Sequence, residues 1–141
     1  MLDHIVLTIK NNGGRKMLVE IPEYYSDFTC IGAHCKDNCC IGWEIDIDKK
    51  TFEKYREVKG AFGERLRTSI SDEDTPHFML REERCPFLNE QNLCDIILTL
   101  GEEQLCEICN LHPRFFKQYG NRCAMGIGLC CDCLLYTSRC V

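Results

Sequence analysis

Four cysteines, Cys30, Cys35, Cys39 and Cys40, are crowded into one short stretch with the spacing C-x4-C-x3-C-C. No other feature limits the fold as much, because so thiol-rich a segment has little reason to be ordered unless its sulfurs bind something. Further pairs follow: Cys85 and Cys94 on either side of an Asn89–Asn92 turn, Cys106-x2-Cys109, and Cys130-Cys131. The 141 residues hold 13 cysteines, several times ordinary usage. Cys123 stands alone and reads as a buried structural thiol.

What such cysteines do depends on their compartment. Asp3 and His4 precede a short apolar run, unlike the basic start, apolar stretch and small-residue cleavage site of a secretory signal. The expectation is a cytoplasmic chain, where disulfides do not persist. Thiolate ligation of a metal then ranks ahead of a disulfide scaffold, with catalysis as a minority option. Lys plus Arg is 17 against 22 Asp plus Glu, a formal charge of −5 with pI near 5.4. A nucleic acid or an anionic membrane surface as main partner would call for a basic face. No apolar run approaches the roughly 20 residues that span a bilayer.

A compact loop lets several sulfurs converge on one soft centre without a long chain closure. Cys39 and Cys40 are adjacent and diverge on regular backbone, so both reach one ion only from a turn. Cys106 and Cys109, at i and i+3 of a predicted helix, present both sulfurs on one face. Four thiolates fill a tetrahedral zinc site or carry a [4Fe–4S] cluster, and spacing does not choose between them. His112, beside Pro113, reads as a loop histidine, with metal ligation as the alternative. Structural zinc of this kind contributes on the order of 10 kcal/mol to folding, which a chain with short apolar runs would need.

Both ends read as foreign. Gly13-Gly14-Arg15-Lys16 before Met17 back-translates to a purine-rich ribosome-binding sequence, so residues 1–16 are expected to be translated leader. The alternative is a strand from Ile5 to Ile9 turning at Asn11–Gly14. Residues 133–141 back-translate to a sequencing adapter joined to its inverted copy and are expected to be artefact. Between them, Met17–Asp132 carries a larger excess of acid than the whole chain.

Within that core, Gly42–Asp48 alternates apolar and acidic residues, a short half-buried strand, and Asp48 offers a helix cap. Phe52, Tyr55, Phe62, Leu66 and Ile70 follow near-helical spacing interrupted by Gly60 and Gly63, giving two short helices or one broken helix. Met17–Asn38 reads as extended chain or loop. Ser71–Pro76 is an acidic loop and His77–Leu80 a candidate strand. Leu93, Ile96, Ile97 and Leu100 mark a helix ended by Gly101. Glu102 and Glu103 suit the first turn of the next helix, which Pro113 stops, and Arg122–Gly128 reads as a last strand. The fold class is α+β: a small cysteine-rich, metal-stapled domain with several short helices, few short strands and much irregular chain.

The stretches DFTCIGAHCKDNCCIGWEIDIDKKTFEKY, CPFLNEQNLCDIILTLGEEQLCEICNLHPRF and the later LCC together resemble the flagellin lysine-N-methylase family, within a wider group of cysteine-rich zinc- or iron-chelating proteins. The resemblance runs through Met17–Asp132. It places the group's recurring cysteines at Cys30, Cys35, Cys39, Cys40, Cys85, Cys94 and Cys109, with Cys106 as the methylase-type addition. It implies S-adenosylmethionine-dependent methylation of lysine ε-amines on flagellin, an iron–sulfur cluster or zinc in the cysteine-rich part, and a chain that is the N-terminal fragment of a longer enzyme. A stand-alone zinc- or iron-chelating module without catalysis is the alternative. Gly126-Ile127-Gly128 is only a G-x-G and reads as a tight backbone passage, not a nucleotide loop. Residue 42 is Gly, so Cys35 and Cys39 do not extend to a C-x3-C-x2-C radical motif. Trp43, Asp46 and Asp48 are candidate pocket residues, against the plainer reading of a core aromatic and a cap.

Overall fold

The computed structural model describes residues 4–35 and 38–128. The Cys130-Cys131 pair and the suspect 133–141 segment lie outside them. The chain divides into two units: one takes both ends, up to Ile31 and from Pro113 onward, and the other is Gly32–His112. Mixed helices, small sheets and irregular connections make it an α+β protein.

The first unit is a four-stranded sheet in the order β1-β2-β6-β5. β1 (His4–Lys10) and β2 (Lys16–Pro22) form an antiparallel hairpin, with Leu7 opposite Val19. Asn11 organises its turn, its Oδ1 accepting from the N–H groups of Gly13 and Arg15. β5 (Arg114–Tyr119) and β6 (Arg122–Ile127) form a second hairpin. The two hairpins join through a parallel β2–β6 pairing, Leu18 opposite Arg122, and Arg122 pairs with Glu20 across it. The Met17–Asn38 stretch is thus partly a central strand, and β5 joins the sheet too. The long-range parallel pairing has no local signature, unlike the aromatic and β-branched content that favours each strand.

The second unit holds the helices and a small core. α1 (Lys49–Glu57) starts at Asp48, and α2 (Gly60–Ser69) follows after a two-residue break, so the broken helix is two. Ile45, Ile47, Tyr55, Leu66, Ile70, Phe78, Cys85, Phe87, Ile96 and Cys106 form the buried cluster. Phe78 and Phe87 meet edge to face at 5.5 Å, a favoured aromatic geometry. β3 (Ile70–Ser71) pairs with β4 (His77–Phe78) in a two-residue ladder. The alternating Gly42–Asp48 stretch is not a ladder strand. It makes a single bridge, Asp46 to His77, while Ile45 and Ile47 go inward and the acids outward. Its alternation records burial on one face without a long strand partner.

α3 (Asp95–Leu100) is the helix ended at Gly101. Glu102 and Glu103 lie in a separate 3-10 turn, and α4 (Glu107–Leu111) begins only after Cys106. Leu105 is extended at φ −64°, ψ 145°, which breaks the helical path that the acidic pair suggested.

Candidate functional site

Three chain segments of the Gly32–His112 unit bring six cysteines into one neighbourhood. The first is the turn at Cys39 and Cys40. Asn38 builds it: its Oδ1 accepts from the Cys40 N–H at 2.9 Å, and its carbonyl accepts from Ile41 at 3.2 Å, the local bonding by which asparagine makes turns. Adjacent cysteines are therefore off regular backbone, as convergence of both sulfurs requires.

The second segment carries Cys85 and Cys94. The Cys85 N–H donates to the Cys40 carbonyl at 2.8 Å, so the two thiol segments are joined backbone to backbone. Asn89 closes the loop, its Oδ1 accepting from Gln91 and Leu93, and Leu88 bridges to Cys94. Arg65 of α2 fixes this segment from outside. It bonds Asp95 and the Pro86 carbonyl at 2.7 Å each, with its guanidinium 5.0 Å from the centre of the Phe87 ring.

The third segment is the start of α4, where Cys106 is fully buried and Cys109 lies one turn on. Cys106 caps the helix without a side-chain bond of its own. Asp48 supplies it from a distance, Oδ1 accepting from the Glu107 N–H at 2.8 Å while Oδ2 accepts from Thr51 of α1 at 3.0 Å. The residue foreseen as a cap of α1 also anchors the thiol helix. Tyr55 adds a second tie, its hydroxyl donating to the Gln104 carbonyl at 2.7 Å.

Cys85 and Cys106 belong to the hydrophobic core, with Cys40, Cys94 and Cys109 packed against it. The sulfurs meet as two hydrogen-bonded pairs. In one, the thiol of Cys40 holds Cys39 down at about 7 against the cost of desolvation, while the same bond and burial push Cys40 up. In the other, the bond from Cys109 lowers Cys106 although burial opposes it, and Cys109 is raised. Burial pushes Cys85 up to about 11 and raises Cys94. Negative charge on Cys85 or Cys94 would disfavour ionisation of Cys40, and charge on Cys40 or Cys85 that of Cys109. One cation placed among them would remove that mutual penalty.

Among the described residues no three Cys, His, Asp or Glu side chains are already drawn together as a metal site. The donors nevertheless suit a soft metal or a cluster in kind: they are thiols from three segments, Cys85 and Cys106 buried, Cys40, Cys94 and Cys109 half-buried and Cys39 exposed. Of the eight cysteines expected as ligands, Cys39, Cys40, Cys85, Cys94, Cys106 and Cys109 lie in this neighbourhood. Cys35 is in the same unit, after a 3-10 turn at Gly32–His34, with its N–H bonded to the Gly32 carbonyl at 3.0 Å. Cys30 falls in the other unit and is exposed. Cys123, read as a buried thiol, is half-buried on β6.

Trp43 is not a core aromatic. It is 38 % exposed, with its ring 5.8 Å from that of His112 and its Nε1–H donating to the Cys39 carbonyl at 2.6 Å. Burial lowers the pKa of His112, favouring the neutral ring. Asp46 is exposed, and Asp48 is the double cap. Tyr55 and the second role of Asp48 had no sequence signal beyond helical spacing, because their partners lie 49 and 59 residues away. Among the described residues no helix is long and apolar enough to cross a membrane.

Comparison with known proteins gives a consistent set of relatives. Two proteins named lysine-N-methylase, from Salmonella choleraesuis and Salmonella typhimurium, are each 30% identical over 132 residues, covering 83% of this chain. The chain spans only 31% of the length of those two relatives. A flagellar biosynthetic protein FliU from Salmonella muenchen is 30% identical over 131 residues, covering 83% of this chain and 74% of its own length. No family model matches the chain, and no solved structure matches it.

Proposed function

Since the chain belongs to the flagellin lysine-N-methylase family, we propose that it is the cysteine-rich, metal-binding part of a protein-lysine methylase acting on flagellin. The observation that carries this reading is the meeting of Cys39, Cys40, Cys85, Cys94, Cys106 and Cys109 from three segments of one unit. Family membership says which chemistry to look for, and the thiols say what this part of the chain contributes. Their residues would hold an iron–sulfur cluster or, failing that, zinc. A bound cluster would supply electron transfer or Lewis acidity beside the reacting groups, and zinc would supply Lewis acidity or a structural tie.

The methyl donor in this reading is S-adenosylmethionine and the acceptor a lysine ε-amine. An amine accepts a methyl group only when neutral, so the complete enzyme must strip the lysine of its proton by a base or by desolvation. The unit surrounding the thiols is rich in acids, with Glu102, Glu103 and Glu107 beside the Cys106 segment, a setting that favours the approach of a lysine-bearing partner. A cytoplasmic location follows from the same reading, since thiols of this density persist reduced there.

The test is methyl transfer by a full-length protein containing this segment, with labelled S-adenosylmethionine and purified flagellin. Labelled lysine on flagellin, lost when Cys85 or Cys109 is replaced by Ser, is the expected result. A full-length protein that binds zinc, remains colourless and transfers no label would instead establish the chelating module without catalysis.

A further inference from the structure

Two of the three thiol segments are connected by a residue that is neither a thiol nor a core residue. Gly42 has φ +86°, a left-handed conformation that costs glycine little and other residues more. Its N–H donates to the Glu83 carbonyl at 2.7 Å. This reversal folds Trp43 back over the turn it has just left. The indole Nε1–H then reaches the Cys39 carbonyl at 2.6 Å, and the ring lies against His112. His112 is the residue that ends α4, its own N–H bonded to the Ile108 carbonyl at 2.9 Å. One side chain thus grips the Cys39–Cys40 turn by a hydrogen bond and the far end of the Cys106–Cys109 helix by ring contact.

At 38 % exposed, Trp43 lies outside the core, yet both its N–H and its ring have defined partners on the thiol segments. We propose that Trp43 is a positioning residue for the thiol site, clamping the Cys39–Cys40 turn to the Cys106–Cys109 helix so that the two thiol pairs keep one mutual arrangement. The inference rests on the reading of these thiols as metal donors and adds the residue that holds them in register. Trp43 touches no sulfur in this role. It acts through the backbone of Cys39 and the end of α4.

The clamp contains its own reporter, because the chain has one tryptophan. The full chain would be prepared anaerobically without metal, loaded with ferrous iron and sulfide or with zinc, and compared with Trp43→Phe. Phe keeps a ring against His112 and removes the N–H. Loading wild type with iron should quench Trp43 fluorescence strongly. In Trp43→Phe, release of metal to a chelator should be roughly fivefold faster, the effect of one lost hydrogen bond, with the denaturation midpoint of the metal-free protein near that of metal-free wild type. In metal-free protein, an aromatic disulfide reagent should modify Cys39 and Cys40 faster in Trp43→Phe than in wild type.

Unchanged release and unchanged thiol reactivity in Trp43→Phe would overturn the clamp, as would iron loading that leaves the tryptophan emission untouched. A wild-type chain that takes up neither metal defeats the metal reading itself. The thiol-reactivity comparison then decides the clamp alone: faster modification in Trp43→Phe upholds it and equal rates overturn it.

Discussion

Asp48 commits the two oxygens of one carboxylate to two helices, one to Thr51 at the start of α1 and the other to Glu107 at the start of α4. Each helix start leaves backbone N–H groups without intrahelical partners, and a lost side-chain cap typically costs about 1 kcal/mol. Asp48→Ala should therefore destabilise the chain by about 2 kcal/mol in denaturant titration, more than an ordinary cap. Burial pushes this carboxyl up, but the N–H groups of Glu107 and Thr51 outweigh it and the folded pKa lies below the ordinary aspartate value. The stabilisation is thus complete above the ordinary value and is lost as pH falls through the folded one. The gap between wild type and Asp48→Ala, full at pH 7, should shrink below about pH 4. A gap constant down to pH 2 would rule out the charged double cap. The sequence made the cap of α1 legible because Asp48 precedes a helical pattern. It was silent on Glu107, since nothing local records a contact 59 residues away.

The elements show why some spacing reads correctly and some does not. Gly60 and Gly63 both look like helix breakers in the sequence, yet only Gly60 stands at a helix start. Gly63 is buried within α2, where an added Cβ would lie 1.9 Å from the Val58 carbonyl oxygen just beyond α1. Glycine is there because the two helices turn onto each other with no room for a methyl group. Alanine would gain about 1 kcal/mol in helix propensity but would force the backbone carbonyl aside. Gly63→Ala should consequently destabilise by about 2 kcal/mol net, in the range of overpacked cores. A stabilised Gly63→Ala would mean that the α1–α2 turn is looser than described. The same limit explains the alternating Gly42–Asp48 stretch. Period-two burial was real, with Ile45 and Ile47 inward, but alternation does not reveal whether a strand partner exists. The Asn89–Asn92 turn and the helix ended at Gly101 carry their determinants locally and read directly, although the helix begins at Asp95, past Leu93, and leaves Ile97 exposed.

Across the whole molecule, the sheet and the thiol site are the parts least legible in advance, for one physical reason. β2 pairs with β6 across about a hundred residues, and Cys40 meets Cys85 across forty-five; each joins segments that make sense separately. The cysteine count and spacing singled out six of the thiols that the fold brings into one neighbourhood. What the fold adds is their grouping: six thiols from three segments, tied by the Cys40–Cys85 backbone bond, the Asp48 double cap and Trp43. The stability of the Gly32–His112 unit should then depend on what these thiols hold. Removing bound metal should lower its denaturation midpoint markedly, because binding energy of this type is folding energy. Equal midpoints with and without metal would separate binding from folding.

The most direct measurement is the metal and sulfide content of the full chain purified without oxygen, read together with its visible absorption and its count of reactive thiols. The expected result is a stoichiometric centre, brown with equal iron and sulfide or colourless with zinc, with four of the thiols Cys39, Cys40, Cys85, Cys94, Cys106 and Cys109 protected from modification until the metal is chelated. Replacing Cys85 and Cys109 together by Ser should abolish the centre. A folded chain with no metal and every one of those thiols freely titrating would contradict the metal reading.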